Sequence, residues 1–237
     1  MCVEPLGTRT PLSDMGWLVT SQDMPRATAE LTLEHFPGRD GYVDLSARES
    51  GLPALQPMSV ELVLAHYDAD TEEVERDIEQ LWAAMAGLEA TYTPWDCRGL
   101  ALRGVWQLEV TSRTPRSAEV RATGTCQPWL EGATRTCQAG GTVRVGGTRP
   151  TPPRFELTAT GGKLAVANAA TGRSVSLLDA QTAGTAVVID FGTMTASAAG
   201  SAARVTLASD WADLVPGVND IYLTGCTGTV TYVERWM

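Results

Sequence analysis

The hydrophobic pattern of the sequence changes period once along its length. Almost everywhere apolar residues alternate with polar ones in short runs broken by glycine and proline, whereas between residues 70 and 88 the repeat becomes helical. Side chains alternate across a strand and recur every three to four positions on a helix face, so this pattern predicts a mainly β chain with one α-helix. The alternation is plain at Leu31 and Leu33 against Thr32 and Glu34, at Val60, Leu62 and Leu64, and at Trp106, Leu108 and Val110. It recurs at Val120, Ala122 and Cys126 against Arg121, Thr123 and Thr125. The helix opens on Asp70-Thr71-Glu72-Glu73, a capping box with Asp70 as N-cap and Glu73 reaching back. Val74, Ile78, Leu81, Trp82, Met85 and Leu88 then form one apolar stripe, with Glu72, Glu75, Asp77 and Glu79 mostly on the outer faces. Gly87 is the expected terminator. Such a stripe must lie against a sheet.

The chain has 237 residues, enough for one large domain or two ordinary ones. Residues 1–27 read as an irregular arm anchored by Trp17-Leu18-Val19. The run Gly146-Gly147-Thr148-Arg149-Pro150-Thr151-Pro152-Pro153 joins glycine flexibility to proline stiffness and marks the expected boundary. Two β-sandwich domains are therefore expected. Residues 1–147 form the first, with the helix of residues 70–88 packed on a sheet, and residues 148–237 form the second. In the second, strands are predicted at 155–160, 163–167, 174–178, 185–190, 204–207, 221–224 and 230–234, with glycine turns between them, as in a sandwich or jelly roll.

The formal charge of −10 is concentrated in the first domain, where 21 acidic side chains face 12 basic ones, against 7 and 6 in the second. A net-negative chain is a poor nucleic-acid binder, because such binding rests on neutralising phosphates. No apolar run reaches the length of a bilayer span, and residues 1–20 lack the apolar core of a signal peptide, so synthesis and retention in a cytoplasm are expected. Five dispersed cysteines, Cys2, Cys97, Cys126, Cys137 and Cys226, with no C-x-x-C pair, argue against a disulfide framework and a thiolate metal site. His35 and His66 have no nucleophile and carboxylate at motif spacing, and no Walker loop, G-x-S-x-G or H-E-x-x-H occurs. Asp68, Asp70, Glu72 and Glu73 have the composition of a metal cluster, but a helix start explains them more simply. No catalytic residue, metal or cofactor is nominated. A glycan-binding module is the alternative reading, with Trp211 in Ser209-Asp210-Trp211-Ala212-Asp213 as its candidate sugar contact.

Between the alternating segment 28–34 and the next at 59–67 stands His35-Phe36-Pro37-Gly38-Arg39-Asp40-Gly41-Tyr42-Val43-Asp44-Leu45. Near the end stand Ala186 to Asp190, a "v-x-i-D" strand, and Pro216-Gly217-Val218-Asn219, a "pGxN" turn before closing strands that finish on Arg235-Trp236. In this order, with the single helix between them, these segments resemble the distal tail protein (Dit) of long-tailed bacteriophages. The match is poorest at residues 91–100. The resemblance implies a structural virion protein of the tail tip or baseplate with no enzymatic activity. Its first domain would form a ring, six subunits in the usual case, joining the tail tube to the hub and tail-associated lysin. Its second domain would be similar to galectins and carbohydrate-binding modules, and in some phages docks receptor-binding proteins. DNA would pass through the ring without specific binding. On this reading Gly38, Arg39, Asp40 and Gly41 are ring-interface candidates, and Asp68, Asp70, Glu72 and Glu73 are candidate lumen acids that would repel phosphate.

Overall fold

The computed structural model describes residues 3–5, 12–38, 40–46, 48–49, 51–67, 71–97 and 99–237. Asp70, the expected helix cap, lies outside the described residues, as do Cys2, Arg39, Asp68 and Arg98. The chain is mainly β with one α-helix, Thr71–Met85, as the period of the sequence predicts. It packs as two compact units. The first comprises residues 1–48, 53–131 and 237, and the second residues 49–52 and 132–236. The strand Ser117–Ala139 contributes its residues up to Glu131 to the first and the remainder to the second. Residues 132–147, placed by the sequence reading before the boundary, thus pack with the second unit.

In the first unit one antiparallel sheet runs in the order Val3–Pro5, Glu89–Tyr92, Ala101–Thr114, the first part of Ser117–Ala139, Met58–Tyr67 and Trp17–Asp23. Much of Met58–Tyr67 and of the first part of Ser117–Ala139 alternates between buried and exposed. Met58, Val60, Leu62, Leu64 and His66 are buried, while Ser59 and Glu61 point to the opposite, solvated face. The helix covers the buried face with Val74, Ile78, Leu81 and Met85, all nearly inaccessible. Each large apolar side chain so buried contributes about 1.5–3 kcal/mol before its entropy cost. Leu88 is a correction to the expected stripe. The helix ends at Met85, the chain turns at Gly87, and Leu88 stands exposed. The core also needs two positions without side chains. A Cβ on Gly124 would lie 2.7 Å from the indole of Trp106, itself fully buried, and one on Gly104 would collide with the Cys126 sulfur.

The second unit is a two-sheet sandwich. One sheet carries the end of Ser117–Ala139, then Cys226–Trp236, Arg154–Ala159, Ala186–Asp190, Thr195–Ala198 and Ser201–Ala202. The other carries Gly141–Val145, Gly217–Thr224, Ala165–Asn168 and Arg173–Ser176. Phe155, Leu157, Val166, Val175, Val187, Ile189, Ile221 and Val230 interdigitate between them. One expected strand, 204–207, makes only an isolated bridge, Val205 to Leu177. The edge is formed instead by Thr195–Ala198 and Ser201–Ala202, joined through Ala199 and Gly200 with φ of 49° and 78°. Two positive φ values in a two-residue loop are the geometry of a type I′ hairpin.

Candidate functional site

The segment around the Gly38–Gly41 turn is built unlike the rest of the first unit. Among the described residues from Thr28 to Ser46 none is buried. The chain leaves and returns as an antiparallel ribbon. The Glu30 N–H donates to the Ala54 carbonyl and the Gln56 N–H to that of Thr28, at 2.8 and 2.9 Å. Farther out, Leu33 pairs with Asp44 and Glu34 with Val43, and the Leu45 N–H donates to the Thr32 carbonyl at 2.8 Å. At the tip, the His35 ring nitrogen Nδ1 donates to the Gly41 carbonyl at 2.7 Å and closes the loop. Gly38 and Gly41 hold φ of 80° and 83°, a region costly for side-chain-bearing residues, and Asp40 between them is exposed.

The alternation at Leu31 and Leu33 suggested a half-buried strand, but both side chains are exposed. With Phe36, Tyr42 and Leu45 they form a set of five large apolar side chains, each between 47% and 67% exposed. A two-stranded ribbon is marginal by itself, and a cluster of apolar side chains in water marks a contact surface. Elsewhere in the first unit, Leu18 and Tyr67 are also exposed; Leu18 lies on Trp17–Asp23, the strand that ends the sheet.

The charge is more sharply divided than residue numbers alone suggested. Divided at the compact units, the sequence places 20 acidic and 10 basic side chains in the first and 8 of each in the second. Of the candidate lumen acids, Glu72 is exposed and Glu73 half-buried in the first helical turn, while Asp68 and Asp70 lie outside the described residues. A second acidic surface covers the solvated face of the sheet. There Arg121 reaches Glu61 at 3.2 Å and Glu109 at 3.8 Å, and Arg103 reaches Glu131 at 3.0 Å and Glu89 at 3.9 Å. Each arginine is bracketed by two carboxylates, which leaves the local balance negative. Nothing in their spacing along the chain marks these acids, and cross-strand register brings them together.

Asp77 is a second correction. Helical spacing put it among the outer acids, but it is buried, with Oδ2 3.2 Å from Nε2 of the equally buried His66. Nδ1 of His66 donates to the Gly16 carbonyl at 3.0 Å, and its ring lies 5.2 Å from that of Trp17. The pair ties the helix, the strand Met58–Tyr67 and the amino-terminal segment together. Its role here is structural, and a Cβ on Gly16 would strike the imidazole at 2.6 Å.

Burial pushes the Tyr92 phenol up to about 12, with the Asp96 charge adding to the effect, and pushes the Cys126 thiol up to about 12. The thiols of Cys97, Cys137 and Cys226 are also raised, chiefly by burial. Thiols held in the protonated form are poor nucleophiles and poor ligands. Among the described residues no three His, Cys, Asp or Glu side chains stand together as a metal site, and no helix is long and apolar enough to cross a membrane.

In the second unit the two quoted motifs both perform local work. Asp190 ends its strand by accepting from the N–H groups of Gly192 and Thr193 at 2.9 and 3.2 Å. Asn219 is fully buried; its amide pairs with both the N–H and the carbonyl of Val215 and accepts from Asn168. Trp211 lies in a loop, half-buried, its ring edge-on to that of Phe191 at 5.1 Å.

The first unit is a helix-on-sheet fold with a projecting apolar arm, and the second is a β-sandwich. Residues 146–236 match the family described as siphovirus-type tail component, C-terminal domain. The fold as a whole is that of Dit. The chain is similar to the crystal structure of the SPP1 Dit (gp 19.1) protein, described as a paradigm of the hub adsorption apparatus in phages infecting Gram-positive bacteria. The TM-score is 0.77 at 17% identity, over 100% of this chain and 99% of that one. A second similarity is to the phage p2 baseplate in its activated conformation with Sr, with a TM-score of 0.46 at 9% identity over 94% and 91% of the two chains. No curated protein matches by sequence. The resemblance to distal tail proteins read from the ordered motifs is borne out.

Proposed function

We propose that this chain is the ring-forming subunit at the distal end of a phage tail. Identical copies, six in the family's usual arrangement, close around a channel. The ring joins the tail tube to the hub and its associated lysin, and the second unit faces outward, where receptor-binding proteins dock. Assembly takes place in the host cytoplasm, and the protein functions at the virion tail tip. The observation that carries this reading is the arm, whose five exposed apolar side chains satisfy no core of their own. A projecting arm on one side and a different apolar patch elsewhere make a heterologous contact, and heterologous contacts close into rings when the rotation allows. Gly38, Arg39, Asp40 and Gly41 in the turn of the arm are the ring-interface residues of this proposal.

The charge division supports a channel for DNA. With the net charge of the chain concentrated in the first unit, a ring of those units presents a negative surface to a polyanion and lets it slide. Glu72 and Glu73, with Asp68 and Asp70, are the lumen acids of this proposal.

Leu33→Asp combined with Tyr42→Asp tests the reading. Light scattering on size-fractionated protein should show assembly weakened at least about tenfold, since each lost apolar contact is worth on the order of 1.5–3 kcal/mol. Thermal stability of the subunit should be unchanged. A variant that assembles as the parent does contradicts the role given to the arm.

A further inference from the structure

Asp40-Gly41 is the only place in the sequence where glycine follows an aspartate or an asparagine. It lies in the turn of the arm. Asp40 and Gly41 are both exposed, and among the described residues nothing pairs with the Asp40 carboxylate. Other aspartates are held. Asp44 accepts from the Ser46 N–H at 2.9 Å, Asp179 binds the Arg204 guanidinium through both oxygens, and Asp220 accepts from the Thr142 hydroxyl at 2.7 Å.

An unpaired carboxyl beside a glycine N–H has a reaction open to it. The Gly41 nitrogen attacks Cγ of Asp40 and closes a five-membered succinimide. The carboxyl hydroxyl and the amide proton leave together as water. A side chain on the following residue crowds that attack. Gly41 has none, and the space a Cβ would fill is empty. The residues that follow Asp44, Asp179 and Asp220 are Leu45, Ala180 and Ile221. Water then adds back at one of two carbonyls. Addition at Cγ restores aspartate. Addition at the Asp40 main-chain carbonyl breaks the original peptide bond and leaves the nitrogen joined to Cγ, an isoaspartyl residue of unchanged mass.

We propose that Asp40-Gly41 is a site of spontaneous isoaspartate formation in the unassembled subunit. The product routes the chain through Cβ of Asp40, so the turn gains one main-chain atom and the released α-carboxylate takes a new position. The bond from His35 to the Gly41 carbonyl, at 2.7 Å, closes this loop and spans the altered link. An aged arm therefore loses the turn that Gly38 and Gly41 set. A consequence for assembly rests on the ring reading above; the reaction itself does not.

Protein isoaspartyl methyltransferase with radiolabelled S-adenosylmethionine tests it on the full chain during warm storage at neutral pH. Label is expected to rise with time and to map to the peptide containing Asp40, at least about tenfold above any other peptide. Asp40→Glu should abolish it with the melting temperature unchanged, since a six-membered imide closes far more slowly. Asp40→Asn should release ammonia and gain mass at the same position, faster than the parent gains label. No label in the parent overturns the proposal, as does equal label in Asp40→Glu. An Asp40→Asn chain that holds its mass overturns it too, because the turn then forbids closure of the imide. Light scattering on fresh samples reports assembly separately, so a failed ring reading and a failed rearrangement are told apart.

Discussion

Three buried groups give the first unit its individuality. His66 stands between the Gly16 carbonyl and the Asp77 carboxylate, within hydrogen-bonding reach of both. Removing one member of a buried pair strands the other, at a cost of about 3–5 kcal/mol. His66→Ala should therefore lower the urea midpoint sharply, and the double variant with Asp77→Ala should cost clearly less than the sum of the two singles. Additive losses would show that the two groups act independently. Tyr92 and Cys126 set the alkaline limit. Their folded values, about 12, exceed the ordinary 10.0 and 9.0, so the unfolded chain gives up these protons first. Their contribution to stability is fully present below pH 9 and is lost as the pH rises from 9 towards 12. Urea midpoints measured across that range should fall steadily; a flat profile contradicts the burial given to both groups.

At the scale of elements, the helix was the most legible feature, because Val74, Ile78, Leu81 and Met85 repeat on one face and that face meets the sheet. Asp77 was misread by its charge, because it lies three residues from Val74 and four from Leu81, on the stripe's own face, where it meets His66. The edge strands Thr195–Ala198 and Ser201–Ala202 escaped notice because alanine, serine and threonine carry little hydrophobic alternation. The arm shows the opposite failure. Its alternation at Leu31 and Leu33 was real, but period two records that side chains point to opposite faces, not that either face is covered. The two glycines of the turn were readable, and the outward reach of the ribbon was not.

At the scale of the molecule, the proposed ring gives the division of charge and the solvated arm one physical source. A subunit of a closed assembly leaves on its surface the apolar groups its neighbours will cover, and keeps like charge where a polyanion must pass. The first unit carries 20 acids against 10 bases and the solvated arm, while the second carries balanced charge over a sandwich core, with exposed apolar side chains of its own such as Leu178, Leu207 and Tyr222. Electron microscopy of the purified full-length protein tests this most directly. The expected images are closed rings of identical subunits with an open centre, persisting at moderate salt. A population of monodisperse single subunits at the same concentration would contradict the ring.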